Sequence, residues 1–88
     1  MDMKAAIGTV VISSAGHDSG HWFVVTGADG NHLLISDGKE RKLTAPKKKN
    51  TKHVRLTSHT LAMEGLTDKK LRKALNALAA ESIAEESE

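Results

Sequence analysis

Two stretches of this chain combine side chains and backbone suited to holding a phosphate. The first is His17, Asp18, Ser19, Gly20 and His21, short polar residues set between Gly16 and Gly20. Glycine takes positive φ without steric cost, so such a loop turns tightly and lets a partner approach its backbone amides. The second is the segment from Lys39 to Arg55, where Lys39, Arg41, Lys42, Lys47, Lys48, Lys49, Lys52 and Arg55 are opposed only by Glu40, with His53 among them. Lysines offer point charges to a polyanion, whereas Arg41 and Arg55 add planar, bidentate donors that also stack on bases. Nucleic acid rewards such a surface by releasing condensed counterions, and a site neutralising about five phosphates gives a log–log salt slope of roughly −3.5 to −4.5.

Other chemistries find little to work with. His17 and His21 have His-x-x-x-His spacing, but a glycine lies between them where zinc chelation needs a helix to align both rings, so no metal site and no cofactor is expected. Ser19, His17 and Asp18 are the residue types of a hydrolytic triad, yet neighbours in one loop do not meet triad geometry, and no enzyme is expected. Gly8, Gly16 and Gly20 miss the spacing of phosphate-binding and dinucleotide fingerprints. The absence of cysteine excludes disulfides and thiolate chemistry. No apolar run approaches the roughly 20 residues of a membrane span, and the first residues lack a secretory layout, so a cytoplasmic protein without membrane contact is expected.

Charge is unevenly spread. A net charge of +2 hides a basic middle and an acidic end, Glu81, Glu85, Glu86 and Glu88. That asymmetry points to a polyanionic partner for the middle.

The elements that must position these residues are short. Strand-sized apolar segments occur at residues 8–13, 22–26, 32–36, 41–44 and 54–57, with Asp29-Gly30 and Asp37-Gly38 as turn signals of an antiparallel meander. Val10, Val11 and Ile12 are apolar in succession, as are Leu33, Leu34 and Ile35, so both sheet faces need cover. Thr67 reads as a helix N-cap, Asp68 suits the positive end of the helix dipole, and Leu71, Ala74, Leu75, Leu78 and Ala79 recur at helical spacing to supply that cover. Lys69, Lys70, Arg72, Lys73 and Asn76 fall on the other face.

The resulting expectation is a mainly β protein, a small SH3-like five-stranded barrel with one C-terminal α-helix. Its domain plan is a flexible N-terminus over residues 1–6, the barrel over 7–61, the helix over 62–83 and a disordered acidic tail over 84–88. Strand alternation sends one of Trp22 and Phe23 inward, so the two aromatics cannot form one stacking platform.

Val10 and Ile12 leading into Gly16 to Gly20, followed by an apolar strand, resemble a KOW motif, with Gly20 in the place of its loop glycine. The order of Leu33 to Ile35, Asp37-Gly38, Arg41-Lys42, the lysine run and Lys52-His53 is similar to the short KOW-domain RNA-binding proteins of Gram-positive bacteria, which in turn resemble a KOW-containing large-subunit ribosomal protein family of archaea and eukaryotes. The resemblance spans residues 8–61, and it departs from the pattern at Ser19, where many KOW loops carry lysine. It implies an RNA-binding protein, associated with ribosomal RNA or the ribosome and active in translation, that grips backbone and shape through His17, Asp18, Ser19, Gly20, His21, Arg41, Lys42, Lys47, Lys48, Lys49, Lys52 and His53. Ribosomal proteins are the further partner class, and a monomer is the expected state. The alternative is a protein-interaction adaptor whose barrel docks a ribosomal or transcription partner. Salt separates the two: RNA affinity should collapse as salt rises and when Lys47, Lys48 and Lys49 become alanine together, whereas an apolar protein interface should barely respond.

Overall fold

The computed structural model describes residues 5–86, with side chains described through Ser82. Expectations for residues 1–4, 87 and 88 fall outside the described residues. The chain forms β1 (Thr9–Ser13), β2 (Trp22–Asp29), β3 (His32–Ser36), β4 (Lys47–Asn50), a short 3-10 turn (Thr51–His53), β5 (Val54–Thr60) and α1 (Asp68–Glu86). All five strands belong to one antiparallel sheet in the order β4-β3-β2-β1-β5, a small SH3-like barrel with a single C-terminal helix. The 3-10 turn links the two strands at the ends of that order.

β2 is the longest strand, and its pairing with β3 shifts register between Val25 and Gly27. An extra residue on one side bends a strand, which lets β2 serve both halves of the curled sheet. A Cβ at Gly27 would come within 3.3 Å of the Leu34 side chain, so the close strand approach there suits glycine. The β2–β3 reversal needs only Gly30 and Asn31, and Gly30 alone takes positive φ, at 61°. That is the pattern of a II′ hairpin.

Strand alternation divides the apolar residues between two cores. Val11, Phe23, Val25, Leu33, Ile35 and Val54 fill the barrel interior, and Ala5 packs against them. Val10 and Val24 lie on the opposite face and are buried with Leu71 and Leu75 of α1. The helix is thus the cover that the consecutive apolar residues demand. Trp22 packs into this second cluster while Phe23 is buried in the first, so the two aromatics do face opposite ways.

The helix begins at Asp68 rather than residue 62 and runs through Glu86 into the segment expected as tail. Gly65 at φ 72° and the Leu66 amide bonded to the Met63 carbonyl make a turn before it, and Thr67 Oγ1 then accepts from the Lys70 amide. No helix among the described residues is long and apolar enough to cross a membrane.

One expected strand is absent and an unexpected one takes its place. Residues 41–44 are not a strand, because Asp37 Oδ1 accepts the amides of Lys39 and Arg41, each at 2.9 Å, while the Arg41 carbonyl accepts from Asp37 and Gly38. Those groups are spent on a closed turn and none is left for a sheet ladder. The fourth strand is instead Lys47–Asn50, paired with β3 from Ile35↔Lys47 to His32↔Asn50. Three lysines and an asparagine carry little intrinsic β preference, but lysine is common on edge strands, where it opposes pairing with other chains.

Candidate functional site

β4 decides what the lysine run does. Lys47 and Lys49 stand opposite Ile35 and Leu33, so their stems share the face of two interior residues, whereas Lys48 points the other way. Lys49 is only 8% exposed. A buried ammonium needs a counter-charge and hydrogen-bond acceptors, and Asp18 of the glycine loop provides the first. Lys49 Nζ donates to Asp18 Oδ1 at 2.9 Å and to the Ala15 carbonyl at 2.6 Å. Lys47 Nζ donates to Asp18 Oδ2 at 2.6 Å, and Ser13 Oγ to Asp18 Oδ1 at 2.7 Å. Burial of Asp18 works to raise its pKa, but the hydrogen bonds from Lys47, Lys49 and Ser13 outweigh it and hold the carboxyl well below its ordinary range. On the opposite face Lys48 pairs with exposed Asp29 at 2.9 Å and lowers that carboxyl's pKa by its hydrogen bond and charge.

The glycine loop is likewise turned inward. The amides of Ser19, Gly20 and His21 donate to the carbonyls of Gly16, Ser13 and Asp18 at 3.2, 2.7 and 2.9 Å. Gly16 and Gly20 take φ of 85° and 88°, as the reading of a tight glycine turn requires. Three of the amides expected to face a phosphate are therefore occupied within the loop. His17, Ser19, Gly20 and His21 are exposed, and His17 and His21 share a groove of about 130 Å³ with Arg41 and Lys47.

Of the remaining residues singled out in the sequence, only Arg41 lines this groove. Lys52 and His53 are exposed on the 3-10 turn, where the His53 carbonyl accepts from the Ser14 amide. Arg41 and Lys42 are exposed on the turn after β3.

That turn is docked on the start of α1. Asp68 Oδ1 accepts the Leu43 amide at 2.7 Å, and Gly38 packs so tightly on the Asp68 carbonyl that a Cβ would collide with it. Lys39 and Arg72 consequently line one groove of about 260 Å³, beside Trp22, Leu75, Asn76 and Ala79. His21 and Asp37 line both this groove and the smaller one, so the two adjoin. Lys69, Arg72 and Lys73 form a stripe on one side of the helix, three and four residues apart. Six cations are exposed on the two elements docked here, Lys39, Arg41 and Lys42 on the turn and Lys69, Arg72 and Lys73 on the first turns of α1, and of these Lys39 and Arg72 meet at one groove. Among the described residues none of the six has a carboxylate within ion-pairing distance.

Sequence reasoning placed Lys69, Arg72 and Lys73 only on the helix face away from the core. The signal that joins them to Lys39 is Asp68, an acidic first-turn residue whose side chain bonds across to Leu43 instead of into its own helix.

No protein-family model matches the chain, and no curated protein matches it at a significant level.

Proposed function

We propose that this protein binds RNA through backbone and shape, and that the basic surface of Lys39, Arg41, Lys42, Lys69, Arg72 and Lys73 supplies most of the attraction. The observation that carries the reading is that these six exposed cations, free of ion pairs among the described residues, lie on two elements that Asp68 docks together, with Lys39 and Arg72 lining one groove. Exposed, unpaired cations are the ones that exchange their counterions for phosphates, whereas a lysine already neutralised by a carboxylate gains little. His17 and His21 border the surface. On this reading the glycine loop is a KOW-type structural turn at the rim of the site, and Lys47 and Lys49 hold it there.

The resemblance to KOW-containing ribosomal proteins makes ribosomal RNA, met in the cytoplasm, the first class to test. Crosslinking in cells followed by sequencing of bound RNA, with the wild type beside a variant carrying Lys39, Lys42, Lys69 and Arg72 as alanine, tests the reading directly. Enrichment of a ribosomal RNA segment that is lost in the variant supports it. Equal recovery from both proteins refutes the assigned surface, and salt-insensitive capture of a protein partner without RNA favours the adaptor.

A further inference from the structure

We infer that the groove between the glycine loop, the turn after β3 and α1 is a subsite for one unstacked nucleotide. The inference rests on the RNA reading above and adds where a base is held. At about 260 Å³ the groove lies just below the roughly 300–1,000 Å³ of sites for drug-sized ligands, a size suited to a single base. Trp22, Leu75 and Ala79 give it apolar surface, Lys39 and Arg72 give it two cations, and Asn76 offers both a hydrogen-bond donor and an acceptor. Asp37 also lines it, but Asp37 Oδ1 is engaged by the amides of Lys39 and Arg41 in its own turn.

This is the combination that single-stranded RNA recognition uses: an aromatic or apolar platform for a splayed base, a cation for the adjoining phosphate and an amide for the base edge. Its neighbour Phe23 takes the barrel interior, which leaves Trp22 on the outer face, where it packs half-buried beside the helix and lines the groove with its remaining surface. The same groove is poorly suited to a peptide, since a charged rim on so short an apolar floor leaves no row of side-chain pockets.

Trp22 is the sole tryptophan and lines this groove as well as a second cleft beside Arg55, Leu56 and His59, so its emission reports binding and the amide shifts say at which of the two. The full chain is titrated with a mixed-sequence single-stranded oligoribonucleotide of about ten nucleotides. In parallel, AMP and UMP are added separately at high concentration and amide NMR shifts are recorded. Two variants accompany the wild type: Ala79→Leu, which fills the groove without changing charge, and Asn76→Ala at an exposed helix position, each checked for folding by its NMR spectrum.

Expected are a change in Trp22 emission on oligonucleotide binding and a loss of about tenfold in affinity in each variant at an unchanged salt slope. AMP should shift the amides around Trp22, Leu75, Asn76 and Ala79. Salt-dependent oligonucleotide binding with unchanged Trp22 emission and wild-type affinity in both variants would overturn the subsite while leaving RNA binding intact. Mononucleotide shifts without any oligonucleotide binding would sink the RNA reading and retain a nucleotide site, and the absence of both would sink the two together.

Discussion

Lys49 Nζ stands 2.9 Å from Asp18 Oδ1, and this contact ties the glycine loop to the edge strand β4 across 31 residues of sequence. The side chains are 9% and 14% exposed, so neither charge has ample water to fall back on. Removing one partner of such a pair leaves the other buried and uncompensated. Asp18→Asn should therefore cost on the order of 3 kcal/mol in stability, read by urea denaturation, whereas Lys48→Ala on the exposed face should change it by about 0.5 kcal/mol or less. Combining Asp18→Asn with Lys49→Met should recover part of the loss, because no lone buried ammonium then remains. A single Asp18→Asn as stable as wild type would rule out this pair as the anchor of the loop.

Acid should release the same anchor. The folded-state pKa of Asp18 lies below its ordinary 3.8, so the unfolded chain binds the proton more readily. The stabilisation is then fully present above about pH 4 and declines as pH falls toward the folded-state pKa. Stability measured by denaturant at a series of pH values should drop on acidification, and the drop should be shallower in Asp18→Asn. Parallel curves for the two proteins would assign the acid response to other carboxylates.

The lysine run and the docked turn make opposite forecasts for RNA. Converting Lys47, Lys48 and Lys49 to alanine together removes both cationic partners of Asp18, leaving only Ser13, and is expected to unfold the loop, so lost binding in that variant says little about phosphate contacts. Lys39→Ala, Lys42→Ala and Arg72→Ala combined remove exposed cations without touching that network. Fluorescence anisotropy across a salt series should show weaker RNA binding and a slope smaller by about 2, since each lost phosphate contact on single strands removes roughly 0.7. An unchanged slope would remove these residues from the interface.

Two glycines of similar backbone geometry should respond differently to alanine. Gly20 and Gly38 have φ of 88° and 79°, so a Cβ is strained at either. Around Gly20 nothing lies within 4 Å of the added atom, whereas at Gly38 it meets the Asp68 carbonyl. Gly20→Ala should cost about 1–2 kcal/mol, the penalty of the left-handed backbone alone. Gly38→Ala should cost clearly more in thermal or urea unfolding, and it should also weaken RNA binding, because it lifts the turn from α1. Equal costs would mean that the turn is not held on the helix as described.

Much of the architecture was legible in the order of residues. Consecutive apolar residues at Val10–Ile12 and Leu33–Ile35 demanded two covered faces, and the Thr67 cap with Leu71 and Leu75 identified the cover, because local periodicity and hydrogen-bonding chemistry fix where apolar side chains point. The strand at Lys47–Asn50 was not legible. It carries no apolar alternation, and its pairing comes from the neighbouring β3 ladder rather than from its own propensity. The sequence also could not say which cations are available, since that depends on carboxylates distant along the chain. Asp18 is 29 residues from Lys47, and Asp68 is 25 from Leu43. The sequence by itself determined that this is a small β barrel under a helix, with an excess of positive charge in its middle. Only the tertiary structure decided that Lys47 and Lys49 face inward to neutralise Asp18 and that Lys39 and Arg72 meet at one groove, because electrostatic pairing depends on distance in space and burial rather than on separation along the chain.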